Sequence, residues 1–348
     1  MSNPIRVGIA GLGRSGWSIH ARSLLAMPQK YTLVAVADSA AERRDEAAAT
    51  AQCRACATFD ELIADPNVEL LVVATPSHLH PEHSIAAMRA GKHVVCEKPL
   101  ALNVEQADRM IAVAEQTGRV LAPFHNRRYE SHLRKVQQIL ACGLLGQIVQ
   151  VRMAWHGFGR RWDWQTLKEF GGGSLNNNGS HLLDQALQIF GDGEPHVFAD
   201  IRHTPLSSGD ADDHVKVILY APGHPTIDCE LTSAAAYPQE RWHVMGTSGG
   251  LHGTTDKLHW KWVDWKSMPP RPVQRGPTPD RAYNSEKLIW HEDSWTHTPD
   301  GPTITDQFYF DLFETIRHSR PLFITPASVR RLIRVIEQCR CAARTQDI

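Results

Sequence analysis

Short apolar runs alternate with amphipathic stretches through the first 124 residues. Five runs have the length and composition of buried strands: Ile5–Ala10, Thr32–Ala37, Leu70–Ala74, His93–Cys96 and Val120–Phe124. Helix-like stretches lie between them, clearest at Trp17–Met27, Pro81–Arg89 and Val104–Thr117. Such β/α alternation predicts a mostly parallel, doubly wound sheet of the α/β class. We therefore place one domain at residues 1–124.

Beyond residue 124 the pattern changes, and short strands dominate. After a helix at Ser131–Ala141, turn-bounded strands are predicted at Ile148–Trp155, Val197–His203, His214–Tyr220, Thr226–Thr232 and Trp242–Met245, with apolar alternation at Leu258, Trp260 and Trp262. A helix near His181–Phe190 interrupts the series, and helices near Thr305–His318 and Pro326–Ala343 close the chain. Antiparallel sheet explains such a series most simply, so residues 125–348 form the predicted second domain.

Two glycine- and proline-rich segments in the second half are predicted to lack regular structure. Gly246–Gly250 has the composition of a turn. Met268–Asp280 contains several prolines and predicts a long loop, which would cover a site or form an oligomer contact.

The charge balance and the lack of long apolar runs limit the kinds of ligand and location to be expected. The 37 Lys and Arg residues nearly balance the 38 Asp and Glu residues, which argues against a nucleic-acid surface and favours a neutral small ligand. No run approaches the roughly 20 apolar residues of a membrane span. Because the strand pattern begins at Ile5, we expect no signal peptide and a cytoplasmic protein.

Cysteine and histidine spacing does not predict a metal site. The seven cysteines are scattered, and the pair Cys53 and Cys56 has no second pair at the spacing of a zinc ribbon. His78, His80 and His83 lie close in sequence, but no carboxylate or cysteine completes a ligand set there. We expect reduced thiols and no metal.

A dinucleotide-binding pattern follows the first strand. Gly11, Gly13 and Gly16 lie in a G-x-G-x-x-G between strand and helix, with Arg14 and Ser15 inside it. These glycines permit a tight turn and close approach of a pyrophosphate to the helix amino end. About 20 residues further on, Asp38 ends the second strand, where a carboxylate binds ribose hydroxyls and repels a 2′-phosphate. The pattern favours NAD; Arg43 and Arg44 keep NADP as a less favoured alternative.

The fourth strand ends in charged residues. Glu97, Lys98 and Pro99 follow His93–Cys96, at the edge of the sheet where ligands collect in α/β folds. A lysine there can face cofactor and substrate, because burial or a nearby charge can bring its pKa towards neutrality. The alternative is a strand that simply leaves into solvent.

A glycine-rich loop leads into the helix that carries His181. The stretch from Gly171 to Asp184 contains three consecutive glycines and three consecutive asparagines before the histidine. The dipole of a helix amino end favours neutral imidazole, the form able to accept a proton. Alternatively, the asparagines are ordinary caps and the histidine is a packing residue.

Taken together, these stretches resemble the Gfo/Idh/MocA oxidoreductases, the family of glucose-fructose oxidoreductase and inositol dehydrogenase. The resemblance covers nearly the whole chain and rests on the order of six motifs: Gly11–Gly16, Thr75-Pro76 with His80, Glu97-Lys98-Pro99, Asn126-Arg127-Arg128, Gly171–Asp184 and Gly246-Thr247. It implies a Rossmann domain, then an α/β domain on a large open sheet used for homodimer or homotetramer contacts. The active site would lie between the domains.

By the same resemblance, Glu97 would lie near the nicotinamide ribose, Lys98 would face cofactor and substrate, and His181 would be the acid/base histidine. The cofactor set is Gly11, Gly13, Arg14, Ser15, Gly16, Asp38, Thr75, Pro76, His80, Glu97, Lys98 and Asn126. The substrate set is Lys98, Arg127, Trp162, Trp164, Asn177 and His181.

This chain departs from the family at Asn177, where the family commonly has an aspartate. An amide could orient His181 but could not stabilise its cation, so His181 should be less basic than in relatives. Asp184, one helical turn after His181, could compensate or could form a structural hydrogen bond. Lys98, His181 and Asn177 are the predicted catalytic group.

Tryptophans near the glycine loop suggest a carbohydrate ligand. Trp162 and Trp164 are the best candidates to stack on a sugar, and the adjacent Arg160 and Arg161 could bind an anionic substituent or be solvated. The leading hypothesis is an NAD-dependent dehydrogenase of a sugar, polyol or sugar derivative. Two alternatives stay open: an NAD-dependent enzyme that cleaves glycosides through transient oxidation, and a non-catalytic dinucleotide-binding regulator.

Overall fold

The computed structural model describes residues 3–278 and 281–347. Its first sheet has six parallel strands in the order β3-β2-β1-β4-β5-β6. Their bounds are β1 Ile5–Ala10, β2 Tyr31–Ala37, β3 Arg54–Cys56, β4 Leu70–Val73, β5 His93–Cys96 and β6 Leu121–Pro123. The order reverses between β1 and β4, so their carboxyl ends open a crevice at the position where doubly wound sheets bind ligands. The predicted Rossmann sheet is confirmed.

Helices cover both faces of this sheet, so its strands are buried and apolar. A π-helical segment, Arg14–Ala21, leads into α1 Arg22–Leu25, and four further α-helices follow: α2 Ala41–Ala51, α3 Phe59–Ile63, α4 His80–Arg89 and α5 Val104–Thr117. α5 shows why the sequence begins and ends helices here. Asn103 caps its first turn by accepting from Gln106 N at 2.8 Å, and Gly118 ends it with a φ of 63°.

The second sheet has nine strands in the order β14-β13-β12-β11-β7-β10-β9-β8-β15. They are β7 Ile148–His156, β8 His196–His203, β9 His214–Tyr220, β10 Thr226–Thr232, β11 Trp242–Gly246, β12 Gly249–Gly253, β13 Lys257–Trp262, β14 His291–Thr296 and β15 Arg344–Asp347. Most neighbours are antiparallel, as expected, but β7 pairs with β10 in parallel and β8 with β15 in parallel. A helix and the β8–β9 hairpin separate β7 from β10, so the chain returns in the same direction.

One face of the second sheet is covered, and the other is open. The helices α6 Ser131–Ala141 and α7 Asn178–Phe190 supply apolar side chains to the covered face, where Trp242 is fully buried. The open face carries polar side chains and a concavity of about 850 Å³ lined by residues such as Arg152 and His243. Homodimer or homotetramer formation through this face stays a prediction.

The glycines after Trp242 form more strand than the sequence suggested. β12 begins at Gly249, so the predicted turn at Gly246–Gly250 is reduced to Thr247 and Ser248. A Cβ on Gly249 would lie 2.1 Å from Lys261 O, which shows that the missing side chain is what lets β12 pack between its neighbours.

The predicted loop at Met268–Asp280 has neither helix nor strand over 268–278, and Val273 is 89 % exposed. Pro279 and Asp280 lie outside the described residues. Cover over the site or oligomer contact stays a prediction for this loop.

The last two helices contribute buried side chains to the hydrophobic core around the parallel sheet. α8 Ile304–His318 begins with a capping box between Thr303 and Asp306, and α9 Pro326–Ala342 follows. Buried side chains of α8, including Phe308 and Tyr309, pack in the same cluster as the parallel sheet. The division at residues 124 and 125 remains a prediction, since this core draws on chain from both sides of it. In the described part of the chain, no helix is long and apolar enough to span a membrane.

Candidate active site

The glycine turn after β1 forms a cradle without side chains. Gly11 has a φ of +89°, and a Cβ there would lie 2.5 Å from Ala74 O. A Cβ on Gly16 would lie 1.8 Å from Gly11 O, so the helix can approach the strand this closely only with glycine. Gly13 faces open space, and Arg14 beside it is exposed. The turn therefore fits a pyrophosphate on main-chain amides.

Asp38 joins this turn to the next helix. Its Oδ2 accepts from Leu12 N at 2.7 Å, and its Oδ1 accepts from Ala40 N at 2.9 Å. Arg44 Nη1 donates to Asp38 O at 2.6 Å, while Arg43 Nη1 lies 3.9 Å from the carboxylate. The carboxylate thus fixes the glycine turn from the position predicted to bind ribose, and the main chain holds one of the two arginines that could reach a 2′-phosphate.

His80 connects the loops after β4 and β5. Its Nδ1 lies 2.7 Å from Pro99 O and its Nε2 lies 2.8 Å from Thr75 O, and the ring is buried. Both ring nitrogens face carbonyl oxygens, and the neutral ring can donate to one of the two, so His80 bridges the loop of Thr75 and Pro76 and the loop that carries Lys98. Contact between His80 and the cofactor stays a prediction.

Glu97 is a buried carboxylate with several donors. His20 Nε2 lies 3.2 Å from its Oε1, and Lys98 N donates to its Oε2 at 2.9 Å. Burial by itself raises the pKa of Glu97, but the His20 hydrogen bond and the charges of His20 and Lys98 outweigh it and lower the pKa to about 2. Glu97 is therefore ionised at neutral pH.

The buried chain extends from Glu97 to helix α8. His20 Nδ1 lies 2.6 Å from Tyr309 Oη, and Tyr31 Oη donates to Tyr309 O at 2.6 Å. The Glu97 carboxylate can only accept, so His20 Nε2 donates to it, and the contact between His20 Nδ1 and Tyr309 Oη extends the chain to α8. His20 and Tyr309 were missed in the sequence, because nothing in their local patterns links positions 289 residues apart.

Lys98 forms a hydrogen bond with Asn177, in the glycine-rich loop that leads into α7. Its Nζ donates to Asn177 Oδ1 at 2.5 Å. Burial lowers the pKa of Lys98 to about 8; the charges of Arg127, Arg161 and Arg14 also lower it, and Glu97 opposes them. The lysine can therefore gain or lose a proton near neutral pH.

Asn177 links Lys98 to Gln165 in a chain of hydrogen bonds, which we call the amide relay. Its Nδ2 donates to Gln165 Oε1 at 3.3 Å, and the same oxygen accepts from Arg161 Nη2. We expected Asn177 to orient His181; instead its side chain links Lys98 to Gln165. Gln165 was missed because a single glutamine outside any motif gives no sequence signal.

His181 lies one turn into α7 and is buried. Burial, followed by the charges of Lys98, His125 and nearby arginines, lowers the pKa of His181 well below its usual value, so the ring is neutral. Among the described residues its Nδ1 has no hydrogen-bond partner, and its ring meets that of His125 edge-on at 5.5 Å. His125 was another residue that sequence analysis missed.

Asp184 does not compensate for the missing aspartate. Its two carboxylate oxygens accept from Arg128 Nε at 2.7 Å and Arg128 Nη2 at 2.6 Å, and both residues are buried. Arg128 Nη1 also donates to Ser328 on α9 at 3.0 Å. The suggestion that Asp184 supports His181 is therefore wrong, and its structural alternative is correct.

Asn126 and Arg127 both contact protein groups near the cleft. Asn126 Nδ2 lies 3.3 Å from Thr305 Oγ1. Arg127 Nη1 donates to Glu130 Oε1 at 2.5 Å, and its guanidinium lies over the Trp155 ring at 4.7 Å. Their predicted contacts with cofactor and substrate remain predictions.

The two candidate tryptophans differ in position. Trp164 lines a small cavity together with Lys98 and Asn177. Trp162 is 77 % exposed and lines neither that cavity nor the adjoining one of about 340 Å³, so its predicted stacking on substrate is not supported. Asn177 lines both cavities, which together form the candidate substrate cleft. Within the described ranges, no group of three or more His, Cys, Asp or Glu side chains is arranged to hold a metal ion.

Comparison with known proteins matches both halves of the chain to sequence families. Residues 5–125 match the family described as "Oxidoreductase family, NAD-binding Rossmann fold", and residues 133–252 match the "GFO/IDH/MocA C-terminal domain".

Two sequence relatives and one solved structure illustrate the similarity. An uncharacterized oxidoreductase, C115.03 of Schizosaccharomyces pombe, is 32 % identical over 263 residues, covering 71 % of this chain and 70 % of the relative. The myo-inositol 2-dehydrogenase of Thermotoga maritima is 31 % identical over 256 residues, covering 71 % and 74 %. The crystal structure of an NAD-binding protein from Listeria innocua superposes with a TM-score of 0.83 at 25 % identity and covers 98 % of both chains.

Proposed function

The chain belongs to the Gfo/Idh/MocA family of oxidoreductases, with its NAD-binding Rossmann domain, and from that premise we propose that it is an NAD-dependent dehydrogenase oxidising a hydroxyl of a sugar, polyol or sugar derivative. The observation that carries the proposal is the contact between Lys98 Nζ and Asn177 Oδ1. It joins the end of β5 to the loop before α7, the helix that carries His181, and the charge of Lys98 is near enough to lower the pKa of His181. A relative named for its action on myo-inositol supports the substrate class.

The residues present fit a dinucleotide. The cradle of Gly11, Gly13 and Gly16 would hold the pyrophosphate, and Asp38 would accept from the adenosine ribose. We propose NAD over NADP because this carboxylate would repel a 2′-phosphate, and because the main chain already holds Arg44. Glu97, ionised and buried, would accept from the nicotinamide ribose. When bound, NAD supplies the hydride acceptor.

Proton handling is assigned to two residues. His181 is neutral, so it would accept the proton of the substrate hydroxyl. Lys98 in its ammonium form would stabilise the alkoxide that develops as the carbon-bound hydrogen leaves as hydride. Asn177 would hold the ammonium in place through its Oδ1 without neutralising it. The relay through Gln165 fixes which end of the Asn177 amide faces Lys98.

Cofactor reduction tests this proposal. Purified protein is incubated with NAD and a panel of sugars, glycosides, polyols and sugar acids, and NADH and product are quantified together. A net dehydrogenase accumulates NADH in proportion to oxidised product. Release of an aglycone without NADH would favour the glycoside-cleaving alternative. Tight NAD binding without turnover of any compound in the panel would favour the non-catalytic regulator.

A further inference from the structure

We propose that the substrate carries an acidic substituent, a carboxylate or a phosphate ester, which the cations of this cleft bind. The inference rests on the proposed function and names its substrate class. The overall charge of the chain favours a neutral ligand, but the charge of the cleft is a local property.

Arg160 is the first of these cations. It lines the 340 Å³ cavity beside Asn177 and is exposed to it, and it forms no hydrogen bond or ion pair with the described residues. Arg161 lines the same cavity but is paired with Asp163, from Nε to Oδ2 at 2.7 Å. Arg160 therefore has its whole guanidinium fork free for a carboxylate or phosphate.

Lys98 is the second cation, and its side-chain partner is an amide. Asn177 Oδ1 accepts from Nζ but brings no negative charge. The nearby carboxylate of Glu97 is already bonded to His20 and to the Lys98 main chain. An acidic substrate group beside Nζ would add a second negative charge to that of Glu97 and would accept a hydrogen bond from the ammonium.

A third cation adjoins the cleft across Trp155, whose side chain lines the 340 Å³ cavity and a second one of about 230 Å³. The guanidinium carbons of Arg127 and Arg241 lie 4.7 Å and 4.9 Å from the Trp155 ring centre. Glu130 neutralises Arg127. Arg241 is buried and lines the 230 Å³ cavity, and its Nε has no partner in the described part of the protein, so it adds a positive charge behind Trp155 without contacting a ligand in the cleft.

Two carboxylates also line the 340 Å³ cavity, and each accepts hydrogen bonds from neutral groups of neighbouring residues. Asp212 Oδ2 accepts from Leu175 N at 2.8 Å. Asp213 accepts from Thr204 N at 2.8 Å and from Thr204 Oγ1 at 2.6 Å. These donors fix the two carboxylates but do not cancel their charge, so the acidic group is expected to bind at Arg160 and Lys98, neither of which has a carboxylate as a side-chain hydrogen-bond partner in the described part of the chain.

Matched neutral and acidic sugars test the inference in the NAD-loaded protein. Binding is measured by calorimetry and turnover by NADH formation for D-glucose and D-glucuronate, D-galactose and D-galacturonate, and D-mannose and D-mannuronate. D-glucose 6-phosphate distinguishes a phosphate from a carboxylate. We expect at least one acidic sugar to bind roughly tenfold or more tighter than its neutral partner, an advantage that shrinks with added salt.

Arg160→Gln removes the charge but keeps hydrogen-bonding groups. Arg109→Gln is the control, since Arg109 is exposed, pairs with Glu82 and lines neither cavity of the cleft. Arg160→Gln should reduce the preference for the acidic sugar by roughly ten- to a hundredfold and leave NAD affinity unchanged, while Arg109→Gln changes neither.

Several outcomes would overturn the inference: neutral sugars binding as tightly as their acidic partners, no acidic sugar binding at all, or an equal loss for both kinds of sugar in Arg160→Gln. If the protein oxidised neutral sugars efficiently and did not bind acidic sugars, the inference of an acidic substrate would be wrong and the proposed dehydrogenase activity would be supported. Tight binding of an acid without NADH would support the inference and contradict net dehydrogenation.

Discussion

Replacing Asn177 by aspartate should raise the pH at which activity is lost. The parent places an amide oxygen 2.5 Å from Lys98 Nζ, and the pKa of Lys98 is lowered to about 8. A carboxylate at that oxygen would favour the ammonium form, and an opposite charge at such a distance raises a lysine pKa by about 1–3 units.

The sign of the effect follows from the proposed role of Lys98. If the ammonium stabilises the developing alkoxide, the rate is high below its pKa and falls about tenfold per pH unit above it. The parent should therefore lose kcat/KM above about pH 8, and Asn177→Asp should hold it to roughly pH 9–11. Titration of His181 should not affect kcat/KM in this pH range, because the pKa of His181 lies well below its usual value.

The assay is kcat/KM against pH at saturating NAD for three proteins. The control is Asn177→Leu, which is similar in size but can neither accept a hydrogen bond nor carry charge. The pH at which its kcat/KM falls should be no higher than for the parent. A limb that does not move in Asn177→Asp would show that Lys98 is not the titrating group. A parent rate that rises through pH 8 would refute the assignment, because Lys98 would then be acting as the base.

Three further predictions concern catalysis, cofactor choice and stability. Lys98→Ala and His181→Gln should each lower kcat/KM by roughly 100- to 10,000-fold while NAD affinity stays within a few fold, and near-parental turnover in either variant would remove that residue's role. Calorimetric titration should show tighter binding of NAD than of NADP because of Asp38, and equal or tighter NADP binding would contradict this. Asp184→Asn leaves its buried arginine partner uncompensated and should lower the free energy of unfolding by about 3–5 kcal/mol in urea, whereas Asp108→Asn, which breaks a more exposed pair, should cost no more than about 1 kcal/mol; equal costs would refute the contrast.

Local sequence patterns predicted the fold because they repeat. Periodic apolar strands, glycine turns and caps gave the Rossmann sheet, and turn-bounded strands gave most of the second sheet. The short strands β3 and β12 and the edge strands β14 and β15 were missed, since strand formation there depends on pairing with a neighbouring strand more than on the local pattern.

In the candidate site, too, residues within motifs could be predicted and residues outside motifs could not. Lys98 and His181 lie in motifs, so both could be named from the sequence, and their joint action on a substrate stays a prediction. Gln165, His20 and Tyr309 could not, because each acts through a single side chain whose partner is set by tertiary packing. The contact of Asn177 with Lys98 rather than with His181 likewise depends on side-chain direction at a helix start, which spacing alone does not determine.

A single-turnover reaction with deuterated substrate tests the central claim most directly. The NAD-loaded protein is mixed with a sugar from the panel that carries deuterium at every carbon, and the cofactor is analysed by mass spectrometry. Our account predicts reduced cofactor containing one deuterium for each molecule of oxidised product, since the hydride comes from the carbon whose hydroxyl lies between Lys98 and His181. Oxidised product with cofactor that stays unreduced, or reduced cofactor that contains only protium, would contradict it.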